Sequence, residues 1–165
     1  MMEVMDSIKF NEYLEYFTNT PPFRSTKYDD PIATKQYKEE LNKYIWIYFQ
    51  NNLDYFDDCI YNGLVYRVLD CQKSKVYFDN YITHWSYDID SFISKVKGFD
   101  TKHRYTWITA NIKNGFDVTQ YDEYHNSFID FECEIIFPMS KDSVIDVFYG
   151  TYDEFVKHRE RKFEK

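Results

Sequence analysis

The sequence predicts an α+β domain, helical at its N-terminal end and mostly β thereafter. Three observations lead there. Apolar residues recur in steps of three and four after Pro31, short alternating segments fill the C-terminal half, and a capping pattern at Thr151 opens a last helix.

In chain order, Ile8, Leu14 and Phe17 sit at near-helical spacing with Ser7 as a cap, ahead of Pro21-Pro22, and residues 18–30 read as a loop. Asp30 then caps and Pro31 suits the first turn of the best helix. Its apolar stripe runs through Tyr37, Leu41, Ile45, Phe49, Leu53 and Phe56 to Ile60, long enough for two helices meeting near Asn51-Asn52. Asn62-Gly63 signals a turn, and "LVYRVLD" alternates like a strand, with Val65, Arg67 and Leu69 on one face. "KVYFDNYITHWS" reads as a short strand entering a loop. Ile89, Phe92, Ile93 and Val96 then form a helix capped by Ser86 or Asp88 and ended by Gly98. The remaining segments read as strands: "YTWITANI", "FDVTQY" after a turn at Asn114-Gly115, "FIDFECEIIFP" and "SVIDVFYG". Thr151 and Glu154 give a capping box for a final helix carrying Phe155, Val156 and Phe163. The plan is a single domain with an antiparallel or mixed sheet: residues 1–30 an N-terminal helix and loop, 31–150 the core, 151–165 the last helix.

Composition excludes several function classes. At 165 residues the chain is one domain's worth, and an aromatic fraction of 21%, with 17 Tyr and 15 Phe, rules out a disordered chain. Four Gly and four Pro leave no linker. A net charge of −8 disfavours a nucleic-acid partner and leaves open an acidic docking surface. Cys59, Cys71 and Cys133 form no CxxC pair and read as reduced thiols. His84, His103, His125 and His158 are scattered, so no metal is expected. No stretch approaches the ~18 apolar residues of a membrane span and no export signal opens the chain, so a soluble, cytoplasmic protein is expected.

Three features stand out chemically. Arg67 interrupts an apolar strand, where a charge is costly unless it meets an anion or reaches water. Ser86 stands at a loop–helix junction after His84 and Trp85. Taken alone they read as a helix cap, a loop histidine and a core or pocket-wall tryptophan. Glu132 and Glu134 lie one residue apart on a strand and so share a face. They are either the wet side of a sheet or a carboxylate pair set for chemistry.

Taken in order, an arginine on the first central strand ("LVYRVLD"), a serine loop leading into a short helix ("YITHWSYDIDSFISKV"), "NGFDV" and an E-x-E strand ending in proline ("FECEIIFP") form a set. That set resembles the Arg-Ser-Glu class of ADP-ribosyltransferases, which includes clostridial binary toxins, vertebrate arginine-specific ecto-enzymes and several bacteriophage enzymes. The resemblance spans about residues 35–150. It implies a two-sheet core with a cleft for NAD, and transfer of ADP-ribose to a protein side chain with release of nicotinamide. Arg67 would hold the phosphates, with Val68, Thr83, His84 and Trp85 completing the cofactor-binding set. Ser86 would orient Glu134, which stabilises the oxocarbenium-like state, and Glu132 would deprotonate the acceptor. Glutamate at that first position goes with arginine as acceptor. "QYDEYHNSF" corresponds to the target-recognition turn, so Tyr121, Tyr124 and Phe128 would meet the protein substrate.

Two positions depart from the pattern. Val68 replaces a common glycine. His84-Trp85-Ser86 stands where the family has Ser-x-Ser, so Thr83 or His84 would take over from the first serine. The Tyr-, Asn-, Lys- and Asp-rich composition suits a bacteriophage enzyme acting on a host protein in the host cytoplasm. The alternatives are a non-catalytic acidic module that inhibits a host protein, with Arg67 and Glu134 a structural pair, and an NAD glycohydrolase.

Overall fold

A computed structural model describes residue 10 and residues 31–95, 98–125 and 134–163; the side chains of 31–38, 95, 122–125 and 163 are outside that description. The helix expected over 7–17 therefore lies outside the described residues apart from Phe10, which is helical and buried. The loop over 18–30 also lies outside them. The described chain is α+β: α1 (Pro31–Asn51), β1 (Ile60–Leu69), β2 (Ile82–Ser86), α2 (Ile89–Lys95), β3 (Tyr105–Asp117), α3 (Val118–His125), β4 (Glu134–Pro138), β5 (Val144–Gly150) and α4 (Tyr152–Phe163). Among the described residues no helix is long and apolar enough to cross a membrane.

All strand pairs are antiparallel. β3 pairs with β1 over nearly its whole length, Ile60 opposite Phe116 through Leu69 opposite Thr106, and with β5 on its other edge. β2 pairs with β4 from Ile82–Pro138 to Ser86–Glu134. Two short seams join these groups: β1 meets β2 at Tyr66–Ser86, and β3 meets β4 at Phe116–Ile136 and Asp117–Ile135. The five described strands thus form one antiparallel sheet, ordered β1-β2-β4-β3-β5, in which β1 and β3 also pair directly.

Three apolar clusters form the core of the described residues. Between the strand groups lie Val65, Trp85, Ile108, Ile135 and Met139. α1 lays Ile45, Tyr48 and Phe49 against Phe56, Phe116 and Ile136, where Phe49 and Phe116 stack with centroids 4.6 Å apart. On the far face α4 presses Phe155 flat on Trp107 at 4.6 Å, beside Ile89 and Ile93 of α2. Each fully buried Phe of this kind contributes about 1.5–3 kcal/mol of hydrophobic stabilisation.

Four expectations are corrected. α1 stops at Asn51, because the Asn52 side chain donates to the Tyr48 carbonyl at 2.8 Å and closes the helix end. Phe56 is buried from the turn that follows, and Ile60 already belongs to β1. The two Asn-Gly pairs do not end strands. They face each other in one bulge, where two β3 residues, Lys113 and Asn114, oppose Asn62 alone. Asn114 takes φ 62° and its N–H donates to Asn62 Oδ1 at 3.0 Å. Gly115 is required there, since an added Cβ would lie 2.6 Å from Ile112 and 2.8 Å from Ile135. "FDVTQY" is not a strand beyond Asp117. The Asp117 carboxylate accepts from the Gln120 N–H at 2.9 Å and starts α3. Finally, the strand in "KVYFDNYITHWS" is its last part, Ile82–Ser86, because Asn80 at φ 63° breaks the extended run before it. The helix after Ser86, the strand 144–150 and the Thr151 capping box are found as read.

Candidate active site

The site forms where the β1–β2 ladder is reduced to a single pair. Tyr66, Ser86 and Glu134 face one another in a row across β1, β2 and β4, since Tyr66 registers with Ser86 and Ser86 with Glu134. His84 lies two residues before Ser86 on β2 and shares its face. Arg67 follows Tyr66, and its Nη1 donates to the His84 carbonyl oxygen at 2.7 Å. The guanidinium therefore bridges the gap that the short ladder leaves.

A cavity of about 110 Å³ opens at this corner. Arg67, His84, Ser86 and Glu134 supply its polar lining. Val68 and Trp85 contribute from the strands, and Ile89 and Phe92 of α2 form an apolar wall. Trp85 is fixed by donating from Nε1 to the Phe137 carbonyl at 3.1 Å. Thr83 is buried on the opposite face of β2 and is not among the lining residues.

Arg67 is half-buried as a residue, yet its Nε is closed off from solvent and has no hydrogen-bond partner among the described residues. Burial pulls the guanidinium below its ordinary pKa, while the Tyr81 hydroxyl beside it pushes back up. A buried N–H with nothing to bond costs roughly 1–3 kcal/mol.

Glu134 is 8% exposed. Its carboxylate is held by His84 Nδ1, and its backbone N–H donates to Thr119 Oγ1 at 2.9 Å. Of the two residues offered as substitutes for a first serine, His84 is the one that reaches the carboxylate. The other face of its ring points to α1, with Nε2 3.3 Å from Asn42 Oδ1. Ser86 Oγ donates to the Asp88 carbonyl at 3.0 Å and accepts from the Asp88 N–H at 3.2 Å. It thereby ties the end of β2 to the start of α2. Asp88 in turn caps that helix through the Ser91 N–H at 3.0 Å.

Glu132 and Phe128 lie outside the described residues. Tyr124 belongs to α3, but its side chain lies outside the description. Tyr121 is 3% exposed, packed against Phe10, Phe56 and Phe116. Its ring is part of the core rather than of a protein-docking surface. Asn42, Thr119 and Tyr81 escaped the sequence reading. Nothing local marks them, since each touches the site only through long-range register. Among the described residues no three His, Cys, Asp or Glu side chains gather as metal ligands. No family model, curated protein or solved structure matches this chain.

Proposed function

We propose that the chain is an NAD-dependent mono-ADP-ribosyltransferase that transfers ADP-ribose to a protein side chain, an arginine, and releases nicotinamide. One observation carries the reading: Arg67, the His84–Ser86 segment and Glu134 come from three different strands to line one cavity. Those are the residues, in the order, on which the resemblance rests. Arg67 lines the cavity, and a planar guanidinium suits a phosphate oxygen. The cavity, at about 110 Å³, is well under the roughly 300 Å³ of a pocket that encloses a whole ligand. It has room for a single ring, with Ile89 and Phe92 as an apolar wall.

The chemistry needs little more than placed charge. As the bond between nicotinamide and the ribose carbon breaks, its electron pair leaves with the nicotinamide ring and neutralises it. Positive charge builds on the ribose, and the Glu134 carboxylate, held in a site poor in water, stabilises that charge. The acceptor nitrogen then forms a bond to the same carbon and gives its proton to a base, for which Glu132 is the assigned residue.

The test is transfer of label from NAD to protein in a cell lysate, with Glu134→Ala alongside. Label carried by the wild type and lost in the variant supports the reading. Glu132→Ala that still cleaves NAD but no longer labels protein supports the division of labour between the two carboxylates. Nicotinamide release without labelling of any protein points to a glycohydrolase, with water as acceptor. No release at all leaves a non-catalytic binding module.

A further inference from the structure

Both nitrogens of the His84 ring face oxygen acceptors. Nδ1 meets Glu134 Oε1, and Nε2 meets Asn42 Oδ1 at 3.3 Å. A neutral imidazole has one N–H and one lone pair, so it can satisfy only one of the two. The other contact would set lone pair against lone pair unless the Glu134 carboxyl carried the shared proton, and between groups with ordinary pKa values of about 4.3 and about 6.5 that proton belongs on the imidazole. Asn42 cannot relieve this by turning its amide over. Its Nδ2 donates to the Ile82 carbonyl at 3.4 Å, and a flip would bring carbonyl against carbonyl.

We propose that His84 stands as an imidazolium, locked in that form by Asn42 and Glu134, and acts as the positioning residue that holds the Glu134 carboxylate ionised at the cavity. That Glu134 performs chemistry rests on the transfer reading above; the lock itself does not. Among the described residues, the groups facing His84 act in opposite senses. From β4, Glu134 favours the charged ring. From β1, the Arg67 guanidinium on the His84 carbonyl, with Tyr81 beside it, opposes a second cation. From α1 the ring meets the neutral amide of Asn42, which selects the protonated form by geometry rather than by charge. The lock also accounts for Asn at this point of α1, one residue past the buried stripe of Leu41 and Ile45.

The test is side-chain ¹⁵N spectroscopy of the full chain, with His84 assigned from the signal missing in His84→Gln. Both ring nitrogens of wild-type His84 are expected to carry protons at neutral pH, where a free histidine, titrating near about 6.5, is mostly neutral. In Asn42→Leu the titration midpoint is expected to fall by about one unit or more. The signals of His103 and His158 report whether the fold is kept. A single protonated nitrogen in the wild type at neutral pH overturns the proposal, whatever the variants do. An unchanged midpoint in a folded Asn42→Leu overturns the role of Asn42.

The second arm is the pH profile of NAD cleavage. Activity lost at lower pH in Asn42→Leu than in wild type supports positioning through His84, and superimposable profiles overturn it. A doubly protonated His84 in a protein that cleaves no NAD at any pH sinks the transfer reading and leaves the lock standing.

Discussion

The Glu134 carboxylate and the His84 imidazole meet across the β2–β4 pair although 50 residues separate them in the chain. The contact is fixed twice. The ladder sets the two strands in register, and Thr119 Oγ1 holds the Glu134 backbone from α3. Glu134 is nearly buried while His84 is about a quarter exposed, so each partner would be costly to leave alone in proportion to its burial. A double-mutant cycle reads this directly. His84→Ala and Glu134→Ala are each expected to destabilise by roughly 1–3 kcal/mol. The double variant is expected to lose less than the sum, with a coupling of about 1 kcal/mol or more. Urea denaturation of the four proteins gives the value, and additivity within error would mean that the contact holds nothing.

Arg67 presents the reverse case, a charge that the fold buries at a cost. Its Nε lacks a partner among the described residues and its burial disfavours the charge, with Nη1 on the His84 carbonyl as partial return. Replacing a buried charge by an apolar side chain of similar volume is often neutral or stabilising. Arg67→Met is therefore expected to keep its melting temperature within a few degrees of the wild type, or to raise it. Binding of ADP-ribose, read by calorimetry, should weaken at least tenfold. Arg67→Lys should not restore it, because an ammonium lacks the planar fork. A variant that binds ADP-ribose as well as the wild type would remove Arg67 from the site.

What the chain disclosed in advance follows the range of each signal. Pro31 and the three–four period gave α1, and Thr151 with Glu154 gave α4, because caps and periodicity are local. Asn114-Gly115 misled because the same dipeptide serves a hairpin and a bulge. Only the β1 partner, which places Asn62 opposite, decides between them. Val118 reads as strand until Asp117 is seen to turn back and cap α3. The site divides the same way. Arg67, Ser86 and Glu134 could be picked out as an ordered set. That His84 reaches Glu134 through Nδ1, with Asn42 behind it, depends on contacts 50 and 42 residues apart that no spacing rule contains.

The α4 cap yields a prediction that is independent of function. Thr151 Oγ1 accepts from the Glu154 N–H at 3.3 Å, and Glu154 Oε1 accepts from the Thr151 N–H at 2.9 Å. That second bond, followed by the Thr151 side chain and by Arg104, holds the Glu154 carboxyl below its usual pKa. With the folded value depressed, the contribution is complete above the unfolded value of about 4.3 and is lost as pH falls through the folded one. Glu154→Gln keeps an acceptor oxygen but cannot titrate. Its stability relative to wild type should therefore rise as pH drops below about 4. Thr151→Ala should cost about 1 kcal/mol at neutral pH. Thermal melts across an acid series test both, and a pH-independent difference between wild type and Glu154→Gln would refute the first.

The last prediction concerns the wall of the cavity. Tyr152 of α4 donates its hydroxyl to Asp90 Oδ1 of α2 at 2.6 Å, and Arg159 donates to Oδ2 at 3.2 Å. The Arg159 guanidinium also lies 5.8 Å from the centre of the Tyr66 ring, and Tyr66 lines the cavity with Ile89 and Phe92. Asp90 is thus the point at which α4 holds α2 over the site. Burial first, then the bond to Asp90 and its charge, push the Tyr152 phenol up to about 12. Because the folded value is raised, this support is complete below the unfolded value of about 10 and is lost as pH climbs toward 12. In an ultraviolet titration Asp90→Asn should lower the midpoint of one tyrosine by the share that the Asp90 bond and charge supply, the share due to burial remaining. Asp90 is half exposed, so Tyr152→Phe should cost only about 0.5 kcal/mol of stability. Arg159 still ties the carboxylate in that variant, and no group touching the cavity has been removed. On the proposed transfer reading, the expected kinetic signature is a raised KM for NAD, as α2 loosens, with kcat held. A fall in kcat at unchanged KM would mean that Tyr152 acts on the chemistry itself and not on the wall.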